Sequence, residues 1–378
     1  MIGRRTLSSV GLAAAAAPGG AALQSQTMLF ASSRWPASRG GFLAVLAAAL
    51  FGISTPLVQR AGQGVGAFST AALLYAGAAL LGALLRRPAE REAKVRRSDL
   101  SRLVAMAAFG AVIGPVALAW GLQHTSGTSA TLMLALEALF TALLARLLYH
   151  ESMGRRVWIA MLLLLAGGLL LVLDRSAAGQ AQFLGLLAVL LATASWGIDN
   201  TLSRGVAERD PAQVVLAKAS LGAPAALLLA LGSGESWPRW GQVLALLAIG
   251  ATGYGLSLRL YLLAQRAFGA ARTGSVFAFA PFIGAAVAIA LGERGLSWGM
   301  AGGGALMLAG VVVHLYERHE HEHLHEALEH EHAHRHDDGH HEHVHDPIRA
   351  GEHSHAHRHE PARHSHPHVP DVHHTHRH

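Results

Sequence analysis

The chain has no cysteine. Disulfides, thiolate-bound metal and cysteine nucleophiles are therefore excluded, and the redox compartment is left open. Charge is scarce as well. Only 14% of residues are Asp, Glu, Lys or Arg, against about 25% in an ordinary soluble domain. Hydrophobic residues make up 52%, so the shortage of charge reads as an integral membrane protein. No run looks like a strand. There is no nucleophile–base set, phosphate-binding loop or nucleic-acid motif, so neither an enzyme nor a nucleic-acid partner is expected.

What the chain does have is apolar length. Crossing the hydrocarbon core takes roughly 20 apolar residues. About ten runs qualify: 41–58, 67–85, 103–122, 128–148, 157–173, 183–202, 212–231, 241–263, 273–291 and 296–315. They are rich in Leu, Ala and Gly, as closely packed membrane helices are, and the linkers are short. Residues 1–39 stand apart. Arg4-Arg5, a short apolar stretch and Pro18-Gly19-Gly20 resemble a weak signal sequence. The preferred reading is a disordered extension, or Met28 as the real start.

Basic residues set the orientation. The loop after the second run is RRPAEREAKVRR. Arg155 and Arg156 follow the fourth run, Arg204 and Arg209 the sixth, Arg266 and Arg272 the eighth. The intervening loops hold isolated charges, namely Arg60, Arg175, Arg239 and Arg294. Both termini are thus expected on the cytoplasmic side of an inner (plasma) membrane that the chain crosses many times.

The chain also repeats itself. FGISTPLVQR at 51–60 matches WGIDNTLSRG at 196–205, an offset of 145. LEALFTALLARLLYHE ends at Glu151 and FAPFIGAAVAIALGE at Glu293, an offset of 142. Two halves follow, 40–175 and 181–316, with a tail at 317–378. Five helices is an odd number, so the second half must enter the membrane inverted. The expected fold is an all-α membrane protein of about ten transmembrane helices in two inverted five-helix repeats. Many secondary transporters are built this way, with the substrate site near the midplane between the halves.

From about Gly40 to Tyr316 the chain resembles the EamA-type branch of the drug/metabolite transporter superfamily. FGIS and WGID, TSGTSATLMLALEALFTALLA, APFIGAAVAIALGER, MLLLLAGGLLLVL and AGGGALMLAG carry the resemblance. It implies ten helices in two inverted repeats and export of small metabolites, often coupled to ion gradients. One departure matters. Where such proteins often have Glu-Pro in the fourth helix, this chain has Glu137-Ala138, and the proline is present only in the second half, as Pro281. A rigid kink in the fourth helix is thereby put in doubt.

Ionisable groups inside a membrane default to functional hypotheses. Glu137 is the carboxylate nearest the expected midplane. It reads as a proton-coupling group or cation ligand, with a structural ion pair as the alternative. Asp199, beside Asn200, is expected at similar depth to Lys218 and Arg259. Pairing of Asp199 with one of the two cations is the economical reading, and an inner gate the sharper one. Two cations near the path disfavour a bare metal ion and favour an organic anion or zwitterion. Trp120 and Tyr261, 141 residues apart in the two halves, either line a cavity by stacking or anchor at the interface. Glu151 and Glu293 recur at helix ends, which suits a boundary role.

The tail, from His319 onward, carries 23 of the 26 histidines and has 5 Arg against 12 Asp and Glu. Neutral imidazole is a good ligand for Zn, Cu, Ni and Co. His332, His334, His336, His340, His341, His343 and His345 are the candidate metal ligands. No fixed spacing defines one rigid site, so a disordered, multisite chelator is expected. No obligate cofactor is implied beyond a divalent transition metal on this tail.

Joining tail to body, the first expectation is a secondary transporter exporting a divalent transition metal such as Ni, Co or Zn. Glu137 would be its midplane group and the tail its collector of cytosolic ions. The second is an exporter of amino acids or related metabolites with a regulatory tail. The third is a membrane-tethered metal buffer or sensor that transports nothing. The partners are a small solute or metal ion and the lipid bilayer, and a homodimer stays open.

Overall fold

The computed structural model describes residues 34–85, 93–149, 153–174, 180–206, 209–268, 270–293 and 297–315, with four short tail segments. Residues 1–33, Met28 among them, lie outside the described residues, as do Glu151, Arg175 and Arg294.

Among the described residues, ten helices are long and apolar enough to cross a membrane. They are α1 (Arg39–Ala61), α2 (Ala67–Leu84), α3 (Arg97–Leu122), α4 (Gly127–Leu148), α5 (Arg155–Leu173), α6 (Gln182–Val206), α7 (Pro211–Gly232), α8 (Trp240–Ala267), α9 (Thr273–Ala290) and α10 (Trp298–Leu315). Local chemistry sets several boundaries. Ser126 caps α4, accepting from the Ser129 amide at 3.0 Å. Asp210 caps α7, accepting from the Ala212 amide at 2.9 Å, with Pro211 at the first helical position. At the start of α3, Asp99 pairs with Arg209 at 3.0 Å, which ties the α2–α3 loop to the α6–α7 turn.

Helix packing obeys the exchange of halves. α2 packs on α7, and α5 on α10. α1 packs on α8 and α9, just as α6 packs on α3 and α4. Small residues permit the close crossings. Where α5 meets α10, a Cβ on Gly303 would stand only 2.9 Å from the Gly167 carbonyl.

Four helices are interrupted, again in matched pairs. α3 widens into a π-helical segment at Ala107–Ile113, and α8 at Gly250–Leu256, 143 residues later. α4 breaks at 134–135, between Gly127–Met133 and Leu136–Tyr149. α9 breaks at 278–279, between Ala270–Phe277 and Ala280–Ala290. The doubt about the fourth helix is thereby corrected. α4 is interrupted without a proline, as α9 is beside Pro281.

The tail also departs from expectation. Its backbone forms two antiparallel pairs, β1 (His319–Leu324) with β4 (Arg363–His368) and β2 (Leu328–His334) with β3 (His353–His359). The expectation of a disordered tail does not describe these segments, while the membrane body is all-α as expected. Their sequences place His at nearly every second position, and a period of two is the strand period.

Candidate functional site

The candidate site is built from residues in and beside these interruptions. Glu137 lies in the first turn after the α4 break. It is partly buried, and its carboxylate accepts a hydrogen bond from the Asn200 amide on α6. One residue earlier on α6, Asp199 forms an ion pair with Lys218 of α7. Both side chains are buried, at 3% exposure for Lys218 and 6% for Asp199. Of the two cations expected near Asp199, Lys218 is the one in this ion pair, and Arg259 lies partly buried on α8. The pair neutralises two charges whose separate burial would be expensive. Even so, Asp199 Oδ1 is buried with no hydrogen-bond partner among the described residues.

Beside these polar groups stands an aromatic wall. Phe51 of α1 meets Trp196 of α6 edge-on at 5.5 Å, Tyr254 of α8 at 5.9 Å and Phe277 of α9 at 5.4 Å. Tyr75 of α2 packs on Tyr254 at 5.7 Å, and Lys218 Nζ lies 5.8 Å from the Tyr75 ring centre. Tyr254 sits inside the wide segment of α8, and Phe277 ends just before the α9 break.

Gly110, in the wide segment of α3, joins wall to ion pair. Wide winding sends the Gly114 amide back to the Phe109 carbonyl. The next residue is Pro115, which has no N–H to give. The Gly110 carbonyl is thus free to accept from Trp196 Nε1 at 3.2 Å and from the Tyr75 hydroxyl. Its Cα has no room for a side chain. A Cβ would run into the Asp199 carboxylate and stand 2.6 Å from Lys218 Nζ.

Trp120 and Tyr261 are not brought together. Tyr261 is buried against Phe277, with ring centres 5.0 Å apart, and extends the wall. Trp120 is 38% exposed and stacks on His124 at 3.9 Å, at the far end of α3. The shared-cavity reading is corrected for a geometric reason. In inverted halves, matched positions away from the midplane fall on opposite faces of the membrane. Phe51, Tyr75, Gly110, Tyr254 and Phe277 escaped the sequence reading. Phe51 was visible only as a repeat mark, paired with Trp196, and Gly114-Pro115 inside an apolar run was the overlooked sign of the α3 irregularity.

Among the described residues, no group of three or more His, Asp or Glu is placed to hold a metal ion. His332 and His334 lie on β2. His336, His340, His341, His343 and His345 lie outside the described residues.

Comparison with known proteins agrees with this architecture. The EamA-like transporter family is matched twice, over residues 38–173 and 183–316. An uncharacterized transporter of Methanothermobacter thermautotrophicus is 27% identical over 238 residues, which covers 61% of this chain and 68% of that protein. A protein of known crystal structure superposes with a TM-score of 0.52 at 21% identity, covering 72% of this chain and 94% of its own. At that identity it speaks for the fold alone. With one family match in each five-helix half, the chain belongs to the EamA-like transporter family, and it is a multi-pass membrane transporter of small solutes.

Proposed function

We propose that the chain exports a small organic solute bearing an ammonium group, of the amino-acid or related-metabolite class. The observation that carries this reading is the contrast between the two carboxylates. Asp199 is matched by Lys218, whereas Glu137 meets the neutral amide of Asn200, which lies one helical turn from Trp196 of the aromatic wall. A carboxylate next to aromatic faces suits a cation with an apolar body. A bare transition-metal ion wants several imidazole or oxygen ligands instead.

The second reading, efflux of Ni, Co or Zn, is favoured by the 23 tail histidines. A tethered chelator raises the local metal concentration at the mouth of the path and leaves the barrier deep in the body unchanged. Inside-out vesicles separate the readings. They should accumulate an amine-bearing metabolite and none of the three metals, and truncation after Arg318 should leave that uptake unchanged. If they accumulate metal instead, and truncation raises the free metal needed for half-maximal uptake, metal is the cargo and the tail its collector. A chain that lowers free metal and moves no solute would be a buffer or sensor.

The direction of export rests on the alternation of basic loops. Reporter fusions at Gln180 and Gly234 should report the outside, and a fusion after Arg209 the cytoplasm. A tail accessible from outside would reverse the orientation.

A further inference from the structure

Inverted halves exchange roles between the two states of a carrier, so matched segments in unlike surroundings show which way it faces. Every residue of the first segment of α4, from Gly127 through Met133, is buried, as are the break and Leu136 after it. In the matching stretch of α9, Thr273 is buried and residues 274–279 are only partly so. The first segment of α4 packs on the second segment of α9, where a Cβ on Gly284 would overlap the Thr131 side chain. At the other end, Leu136–Tyr149 and Ala270–Phe277 share almost no contact among the described residues. α4 and α9 thus form a wedge, closed at one face and splayed toward the face of the basic loops.

The closed face is stitched across the halves. Glu293, in the α9–α10 turn, accepts hydrogen bonds from the Thr128 amide at 2.9 Å and the Thr128 hydroxyl at 3.0 Å. Arg60, at the end of α1, also crosses the halves by donating to the Leu291 carbonyl, and within the first half its neighbour Gln59 braces the same end by donating to the carbonyls of Leu122 at 3.0 Å and Thr125 at 3.2 Å. We infer that Glu293 latches a gate on the face opposite the basic loops, and that the gate is the enclosed half-helix from Gly127 to Met133. Opening that face requires the half-helix to leave α9, and it cannot do so while Glu293 holds Thr128.

The same face supplies an internal control. Glu235 makes a similar clamp at the start of α2, accepting from the Phe68 amide at 3.0 Å, the Ser69 amide at 2.8 Å and the Ser69 hydroxyl at 2.7 Å. It acts on the α2–α7 pair, away from the wedge. A merely structural cap would behave alike at both places.

The absence of cysteine makes the test direct. Asn200→Cys supplies one reactive thiol at the site, read with a membrane-impermeant maleimide applied to either face. Labelling should be about tenfold or more faster from the basic-loop face. Glu293→Gln weakens charge-assisted bonds and should raise labelling from the opposite face by about tenfold. Thr128→Val should raise it less, and Glu235→Gln should leave it unchanged. Equal labelling from both faces in the otherwise unaltered chain would overturn the inference. So would a rise with Glu235→Gln that matches Glu293→Gln, or no rise with either Glu293→Gln or Thr128→Val in monodisperse protein. The readout is accessibility, so it stands apart from the identity of the solute.

Discussion

Glu137→Gln should reach the membrane in normal amount and transport about a hundredfold more slowly than the unaltered chain. The substitution keeps the shape of the side chain and its capacity to accept from Asn200. It removes the charge. If that charge recognises an ammonium group against the wall of Phe51, Trp196, Tyr254 and Phe277, its loss leaves a buried cation without a partner, and the remaining aromatic attraction is the smaller term. Initial rates in proteoliposomes, on the solute identified in the vesicle screen, measure the effect, with a size-exclusion profile to verify folding. Near-normal rates at a normal protein level would reduce Glu137 to a structural role.

The second large effect is on stability. Lys218→Met leaves Asp199 as an uncompensated charge in a site where both side chains are at most 6% exposed. Breaking a buried pair from one side costs about 3–5 kcal/mol, whereas replacing both members is often close to neutral. The double change Asp199→Asn with Lys218→Met should therefore recover most of what Lys218→Met loses. Thermal unfolding in detergent across the full cycle gives the coupling, and purely additive losses would argue against the pair. Gly110 extends the expected damage, because its backbone lies against both members and its carbonyl holds Trp196 and Tyr75.

Several parts of this architecture were legible in the residues. Apolar length fixes the number of spans, and the odd five-helix repeat fixes their inversion. The depths of Asp199 and Lys218 were matched simply by counting residues inward from the α6–α7 turn. The boundary role expected of Glu293 is its observed position, and the turn it occupies gives that role a purpose. The wall was not legible, for two reasons. Aromatic side chains are ordinary in apolar runs, so periodicity does not separate Tyr75 or Tyr254 from their neighbours. Their meeting also depends on irregular winding in α3 and α8, which changes the direction of a few side chains without changing the span. Trp120 illustrates the converse. It was matched to Tyr261 by sequence offset, inversion carried the two residues to opposite ends, and of its two expected roles the exposed end of α3 suits interfacial anchoring.

The widened turns of α3 and α8 also show one irregularity serving two ends. A π-helical segment holds one residue more than a straight helix needs over the same rise. Two such surplus residues stand 143 positions apart, at matched places in the third helix of each half. The two halves use them differently. One frees a carbonyl for Tyr75 and Trp196. The other presses Gly250 and Gly253 against α2 and α1, where neither could gain even a methyl group without displacing its neighbours.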